Sequence, residues 1–297
     1  MSRVRWTCAA ILALLTHLTA SGAARSVVDD AGMAVSVPSP PQRIVSLSPG
    51  ITELLFALGV GARVVAVSDF SDYPAQALAL PRVARAQGID LERIAALRPD
   101  LVVTWGSGYS PALLAALRRL SAPVYLHEPR TLDAIATAID RLGALTDAPA
   151  APAIATAFRQ RLRALREQYA GRSPVSVFYQ VWASPVMTLT GRHLTSDVLR
   201  SCGARNVFEE LAPLVATVGV ESVLAARPQM IITAEAGALD RGALDGWRQY
   251  ADLPAVARGQ LVTLDADQID RAALRILDVT QILCERVEQA RHASAAP

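Results

Sequence analysis

Short apolar runs bounded by Gly, Pro and Ser alternate along this chain with longer stretches in which apolar and polar positions mix. Arg43-Ile-Val-Ser-Leu47 reads as a buried strand, Ser48-Pro49-Gly50 turns it into a helix over 52–58, and Gly59 stops that helix. A strand follows at 64–67. The alternation continues with a helix over 91–97, a strand over 101–105, a helix over 111–120, a strand over 124–126 and a helix over 132–142. Strands alternating with helices predict a parallel sheet flanked by helices. Ahead of it, residues 25–42 are polar and carry Pro38, Pro40 and Pro41, which predicts a leading arm with a short strand.

The pattern changes between about 150 and 169, a stretch rich in Ala, Leu, Arg and Gln with no strand signal. Its one proline, Pro152, falls near the start, where the first turn of a helix tolerates it. A helix of that length spans about 30 Å, and its central position suits a rigid strut between two α/β lobes better than one more surface helix. Strand–helix alternation resumes at 175–182. The divisions are then an arm over 25–42, a first lobe over 43–146, a linking helix over 147–171 and a second lobe over 172–297. A weak internal repeat supports two related lobes. Thr52-Glu53 precedes Gly59, and Ser196-Asp197 precedes Gly203, with seven residues from hydroxyl to glycine in both. Glu92 precedes Arg98-Pro99 and Glu221 precedes Arg227-Pro228, six residues on in each, and an apolar run follows both.

Composition narrows the function classes. The chain has 297 residues, 52% hydrophobic and 19% charged, with a net charge of +2, which excludes a disordered chain. All 29 basic residues are arginine, and 27 acids are interspersed among them, so there is no basic field of the kind nucleic acid requires. The first 24 residues read as a cleavable export signal: Arg3 and Arg5, an apolar run over 8–18, then Ser21-Gly22-Ala23-Ala24. That run is too short for a membrane anchor, and Cys8 lacks the residues that precede a lipidated cysteine. Cleavage removes two arginines and no acid, leaving a neutral exported chain with Cys202 and Cys284. An even cysteine count in an oxidising compartment favours a disulfide over two separate buried thiols.

Catalytic constellations are scarce. There is no G-x-S-x-G elbow and no P-loop, and Gly59-x-Gly61 follows a helix rather than a strand. His127, His193 and His292 show no metal-ligand spacing, so no metal site is expected. Carboxylate pairs Asp69/Asp72 and Asp267/Asp270 sit in turn-like contexts. An exported hydrolase using Asp267, Asp270 and His193 is one reading, but a binding protein with no catalytic cofactor fits better. What remains are aromatic residues at strand ends: Phe70, Tyr73, Trp105 and Trp182. Drawn from both lobes, they predict an aromatic cleft for a large, flat ligand.

Four segments together resemble a known family: Arg43-Ile-Val-Ser-Leu-Ser-Pro-Gly-Ile-Thr-Glu53, Ser71-Asp-Tyr-Pro74, Gln87-Gly-Ile-Asp-Leu-Glu-Arg-Ile94 and Leu97-Arg-Pro-Asp-Leu-Val-Val-Thr-Trp105. They are similar to the cobalamin branch of the helical-backbone, or class III, periplasmic substrate-binding proteins of ABC importers. Haem and siderophore carriers belong to the same class. The resemblance implies two Rossmann-like α/β lobes joined by one long backbone helix, a monomer in the periplasm, and cobalamin or a related corrinoid as transported ligand. It implies ligand contacts from Pro49, Gly50, Phe70, Trp105, Trp182, Asp267 and Arg271, with Arg271 donating to corrin amides. It also implies docking of Glu92 and Glu221 onto arginines of the importer's transmembrane subunits, although an acid in a helix's first turn also favours the helix dipole. Cys202 and Cys284 fall where the family carries a disulfide. Two aromatic positions of the branch are missing here, one replaced by Ala86 and one within Leu214-Val-Ala-Thr217. A haem carrier would instead use Tyr73, Tyr109 or His127 as axial ligand.

Overall fold

The computed structural model describes residues 24–85, 88–236 and 242–295. Residues 1–23 of the expected export signal over 1–24, and Ala86, lie outside them. The arm holds two strands rather than one: β1 (Arg25–Val28) and β2 (Ala34–Val37) pair as an antiparallel hairpin. Its turn is tied by Asp29, whose Oδ1 accepts from the backbone N–H of Ala31 and Met33.

The first lobe contains β3 (Ile44–Ser46), α1 (Pro49–Ala57), β4 (Val64–Ser68), β5 (Arg82–Arg85), β6 (Gly88–Ile89), α2 (Leu91–Ala96), β7 (Leu101–Thr104), α3 (Pro111–Arg118), β8 (Val124–Leu126) and α4 (Leu132–Thr146). Its sheet runs β6-β5-β4-β3-β7-β8, parallel except for the β5–β6 pair. α1 starts at Pro49, ahead of the predicted start, because the Ser48 hydroxyl accepts from Ile51 N–H and proline suits the first helical position. From β3 the chain proceeds outward through β4 and β5, then returns to place β7 on the other side of β3. Such a switch opens a crevice at the carboxyl ends of the strands.

α5 (Ala151–Tyr169) follows. The second lobe contains β9 (Val175–Ala183), β10 (Val186–Leu189), α6 (Leu194–Ser201), β11 (Ala204–Asn206), β12 (Val215–Thr217), α7 (Val220–Ala226), β13 (Met230–Glu235), α8 (Pro254–Ala257), β14 (Leu261–Asp265), α9 (Ala266–Ile269) and α10 (Ile276–Ala295). Its sheet runs β12-β10-β9-β13-β14, with β11 also on β9. The expected parallel sheet is mixed here. β9 and β10 form a hairpin around Ser184-Pro185, so β10 runs antiparallel to both β9 and β12, while β11, β13 and β14 stay parallel.

α5 is not a solitary rod. Its buried residues Ala155, Phe158, Leu162, Leu165 and Tyr169 recur at alternating spacings of three and four, which places them on one stripe. α4 packs alongside it: a side chain at Gly143 would begin 2.1 Å from the Ala151 Cβ, so only glycine permits this approach. One apolar core therefore runs from the first sheet (Ile44, Val67) through the helix pair (Ile139, Leu162) to the second sheet and α10 (Val177, Leu283). Smaller cores cover the outer faces, around Val102 and Leu117 in one lobe and Phe178 and Trp247 in the other. Truncating Leu162 to alanine would cost about 2–5 kcal/mol through the cavity left behind.

The internal repeat extends to the backbone. Thr52 and Ser196 are both buried, and Gly59 and Gly203 close α1 and α6 with φ of 79° and 68°. Arg98 and Arg227, both preceding proline, adopt left-handed φ of 46° and 44° at the ends of α2 and α7.

Cys202, at the end of α6, is disulfide-bonded to Cys284 on α10, 82 positions away, and both are fully buried. Closing a loop of that size stabilises by about 3–5 kcal/mol, mainly by restricting the unfolded chain. Replacing both cysteines with serine lowers the thermal midpoint by on the order of 10 °C, read by differential scanning calorimetry; an unchanged midpoint contradicts this account.

Candidate functional site

The carboxyl ends of β3, β4, β7 and β8 open onto a cleft of about 500 Å³, faced from the second lobe by the start of α6 and by residues 266–272. That volume is within the usual range for small-molecule sites, about 300–1,000 Å³. Pro49 and Gly50, at the start of α1, form part of the wall. Gly50 is where the lobes touch: a Cβ there would sit 3.1 Å from the Ala272 N and 3.3 Å from the Arg271 Cα. Across the same seam, His127 donates from Nε2 to the Ala272 carbonyl at 3.0 Å.

Two large aromatics stand in the wall. Phe70 is 75% exposed and Trp105 45% exposed, far more than rings of this size usually are. Phe70 also has φ of 61°, a left-handed conformation that bulky residues rarely adopt. Its carbonyl accepts from Arg271 Nη2 at 3.2 Å, which helps hold it there. Strain kept at an exposed ring is a mark of function rather than of packing.

Trp182 and Arg271 stand differently from what the sequence leads one to expect. Trp182 does not line the cleft. It lies on the β9–β10 hairpin, 60% exposed, with its indole N–H donating to the Ser184 carbonyl at 2.9 Å, because the reversal into β10 carries the end of β9 away. Arg271 does line it, with both terminal nitrogens of its guanidinium already engaged by protein acceptors. Nη1 donates to Glu53 and Asp72, each at 2.8 Å, and Nη2 to Asp267 at 2.5 Å as well as to Phe70. Burial disfavours the Arg271 cation, but its bonds to Asp72 and Glu53 outweigh burial and hold its pKa above the ordinary value. Arg275 joins this cluster with a two-point clasp on Glu53 (2.9 and 2.5 Å) and stacks on the Tyr73 ring at 4.1 Å. Arg275 was not singled out from the sequence; Asp72 entered there only through its pairing with Asp69, and Glu53 only through the internal repeat. The one available signal was an acid, Glu53, in a helix with no polar face: α1 buries every residue from Gly50 to Leu55.

The remaining titratable groups are held by the fold. His193 caps α6, its Nδ1 accepting from Thr195 N–H; burial and then Arg130 push its pKa down to about 4. Burial also lowers His127. The Tyr109 hydroxyl donates to the Leu47 carbonyl at 2.9 Å and is pushed up to about 12 by burial. Haem ligation through Tyr109 or through His127 Nε2 would therefore have to break a contact, and Tyr73, the third candidate, lies under the Arg275 guanidinium and does not line the cleft. Among the described residues, no group of three or more His, Cys, Asp or Glu is placed to hold a metal ion. The residues of the hydrolase reading, Asp267, Asp270 and His193, share the cleft, but no hydrogen bond links them. Asp270 meets the water of the cleft while protein surrounds it on the other sides. That burial, and then the Asp267 charge, raise its carboxyl from 3.8 to about 6.

Glu92 and Glu221 are exposed in the first turns of α2 and α7, helices at matching places in the two lobes. Asp90 caps α2 by accepting from Arg93 N–H, which leaves Glu92 free of the capping role. Neither glutamate forms an ion pair with a basic residue among the described residues.

Residues 44–268 match the periplasmic binding protein family. The vitamin B12-binding protein of Vibrio cholerae serotype O1 (strain ATCC 39541 / Classical Ogawa 395 / O395) is 42% identical over 252 residues, covering 83% of this chain and 89% of the relative. That of Vibrio campbellii (strain ATCC BAA-1116) is 36% identical over 253 residues, 85% of this chain and 91% of the relative. The crystal structure of the periplasmic vitamin B12 binding protein BtuF of Vibrio cholerae matches with a TM-score of 0.78 at 40% identity, covering 85% of this chain and 98% of that one. The periplasmic heme-binding protein RhuT from Roseiflexus sp. RS-1 has a TM-score of 0.73 at 23% identity, over 84% and 99%, a likeness of fold alone.

Asp270 gives a pH test. Because its folded pKa lies above its unfolded value, its stabilising contribution is complete below about pH 4 and is lost as pH rises through about 6. Asp270→Asn should therefore raise the melting temperature relative to the parent at pH 7 and leave it unchanged near pH 3.5. Parallel melting curves for the two proteins across that range would contradict the raised pKa.

Proposed function

Because this chain belongs to the periplasmic binding protein family, we propose that it captures cobalamin (vitamin B12) or a related corrinoid in the cleft and delivers it to an ABC importer. It is a binding protein and not an enzyme, and the ligand is its cargo. The lobes are assigned to 43–146 and 172–297, the link to 147–171, and the working form to a monomer exported to the periplasm by the leading signal.

The observation that carries this reading is the pair of exposed rings, Phe70 and Trp105, on a cleft whose opposite wall carries Asp267 and Asp270. A corrin presents a broad, partly apolar face with amides around its edge. Flat rings cover the face, and carboxylates accept from the amide N–H groups. The relatives at 36–42% identity are vitamin B12-binding proteins, which favours a corrinoid over haem. The engagement of Tyr109 and His127 in protein hydrogen bonds argues in the same direction. Pro49 and Gly50 bring the start of α1 to the cargo. Arg271 is assigned to holding the wall through Phe70 and Asp267 rather than to direct donation, and Trp182 to a rim position that contacts only a cargo extending past the enclosed volume. Glu92 and Glu221 are assigned to docking on the importer: one exposed acid on each lobe orients a neutral protein on a cationic face.

Calorimetric titration with cobalamin, its base-free precursor and haem should show saturable one-to-one binding of a corrinoid. Tight haem binding without corrinoid binding overturns the assignment. Trp105→Ala should weaken corrinoid binding by about 1–3 kcal/mol through lost stacking and burial; an unchanged Kd makes the ring a structural residue. Glu92→Arg combined with Glu221→Arg should keep the Kd and abolish uptake in cells. Normal uptake by that variant removes the docking role.

A further inference from the structure

The ion cluster beside the cleft joins residues about two hundred positions apart, and one carboxylate organises it. Glu53 is 5% exposed and does not line the cleft. Its Oε1 accepts from Arg271 Nη1 at 2.8 Å and Arg275 Nη2 at 2.5 Å, and its Oε2 from Arg275 Nε at 2.9 Å. Arg271 in turn reaches the Phe70 carbonyl on one wall and Asp267 on the other. The other two acids, Asp72 and Asp267, are about half exposed, with side-chain exposures of 46% and 50%. Glu53 is thus the one buried anion that both guanidiniums share, and without it they lose their common partner, leaving only the half-exposed Asp72 and Asp267 beside Arg271.

We propose that Glu53 is the positioning residue of this cleft: by clamping Arg271 and Arg275 of the second lobe, it sets the spacing of the lobes and the presentation of Phe70 and Asp267 to the cargo. The internal repeat supplies a counterpart for comparison. Asp197, which follows the buried Ser196 as Glu53 follows the buried Thr52, accepts from Leu132 N–H at 2.9 Å and Arg166 Nη2 at 3.2 Å. It ties α6 to the helix pair and does not line the cleft. The duplicated position therefore gives one tie beside the cleft and one behind it.

The test compares Glu53→Gln with Asp197→Asn, each in the full exported chain. Nitroxide labels at Ala115→Cys and Gln249→Cys, exposed positions on opposite lobes, report the spacing by pulsed electron spin resonance without ligand. Cobalamin titration reports the cleft; that arm alone rests on the corrinoid reading. Glu53→Gln should broaden or shift the distance distribution and weaken cobalamin binding about tenfold or more. Asp197→Asn should lower the melting temperature while leaving spacing unchanged and affinity within about twofold. Glu53→Asp, which keeps the charge, should recover part of both losses. Should Glu53→Gln fail to fold, Arg275→Gln gives the same direction with a smaller shift. A parental distance distribution in Glu53→Gln, or equal affinity losses in the two variants, overturns the proposal. If the parent itself does not bind cobalamin, the cargo reading fails, and the distance measurement still decides the role of Glu53.

Discussion

Two sheets that bury a face against the same pair of helices cannot separate without exposing the core they share. α4 and α5 lie between the lobes at a spacing that excludes even one methyl at Gly143, and the apolar cluster runs without a break from Ile44 to Leu283. Side chains in such a core are close-packed, so displacement of either sheet is resisted across many contacts rather than at a hinge. The disulfide between α6 and α10 reinforces the second lobe at the edge of this core. The position of the cleft between the lobes follows from this shared layer.

The chemistry of the cleft is governed by charges kept in check. Arg271 would be a poor neighbour for an uncharged cargo if it stood alone and desolvated, and the fold prevents this by surrounding it with Glu53, Asp72, Asp267 and a carbonyl. A buried pair of this kind adds little net stability over an apolar filling, yet breaking it by removing one partner costs about 3–5 kcal/mol. Such a pair specifies an arrangement more than it stabilises one. The walls are thereby left with exposed rings on one side and acceptors on the other, which suits a flat, amide-edged guest.

The sequence carried much of this. Alternating strands and helices, the long central helix and the hydroxyl-to-glycine repeat are legible because each is written within a few neighbouring residues. Phe70 and Trp105 were legible for a related reason: aromatics directly after buried strands fall at the carboxyl edge of a parallel sheet, wherever that sheet packs. Trp182 follows a strand too, but it does not line the enclosed cleft. Ser184-Pro185 reverses the chain into an antiparallel partner, and the end of β9 becomes a hairpin instead of a cleft edge. The short β5, β6 and β11 carried no periodic signal because two to four residues are too few to show one.

The local pattern by itself determined the class of fold, the cysteines available for a disulfide, the helix that links the lobes, and the strand ends where a ligand belongs. Caps, breakers and periodicities act over distances shorter than one turn or one strand, so a single sequence displays them. Only the tertiary structure decided that Arg271 answers to Glu53, that α5 works as half of a pair, and that two of the four aromatics expected in the cleft, Phe70 and Trp105, line it. A buried charge takes whichever partner the packing brings within about 3 Å, and that partner lay some two hundred positions away, beyond the reach of any pattern along the chain.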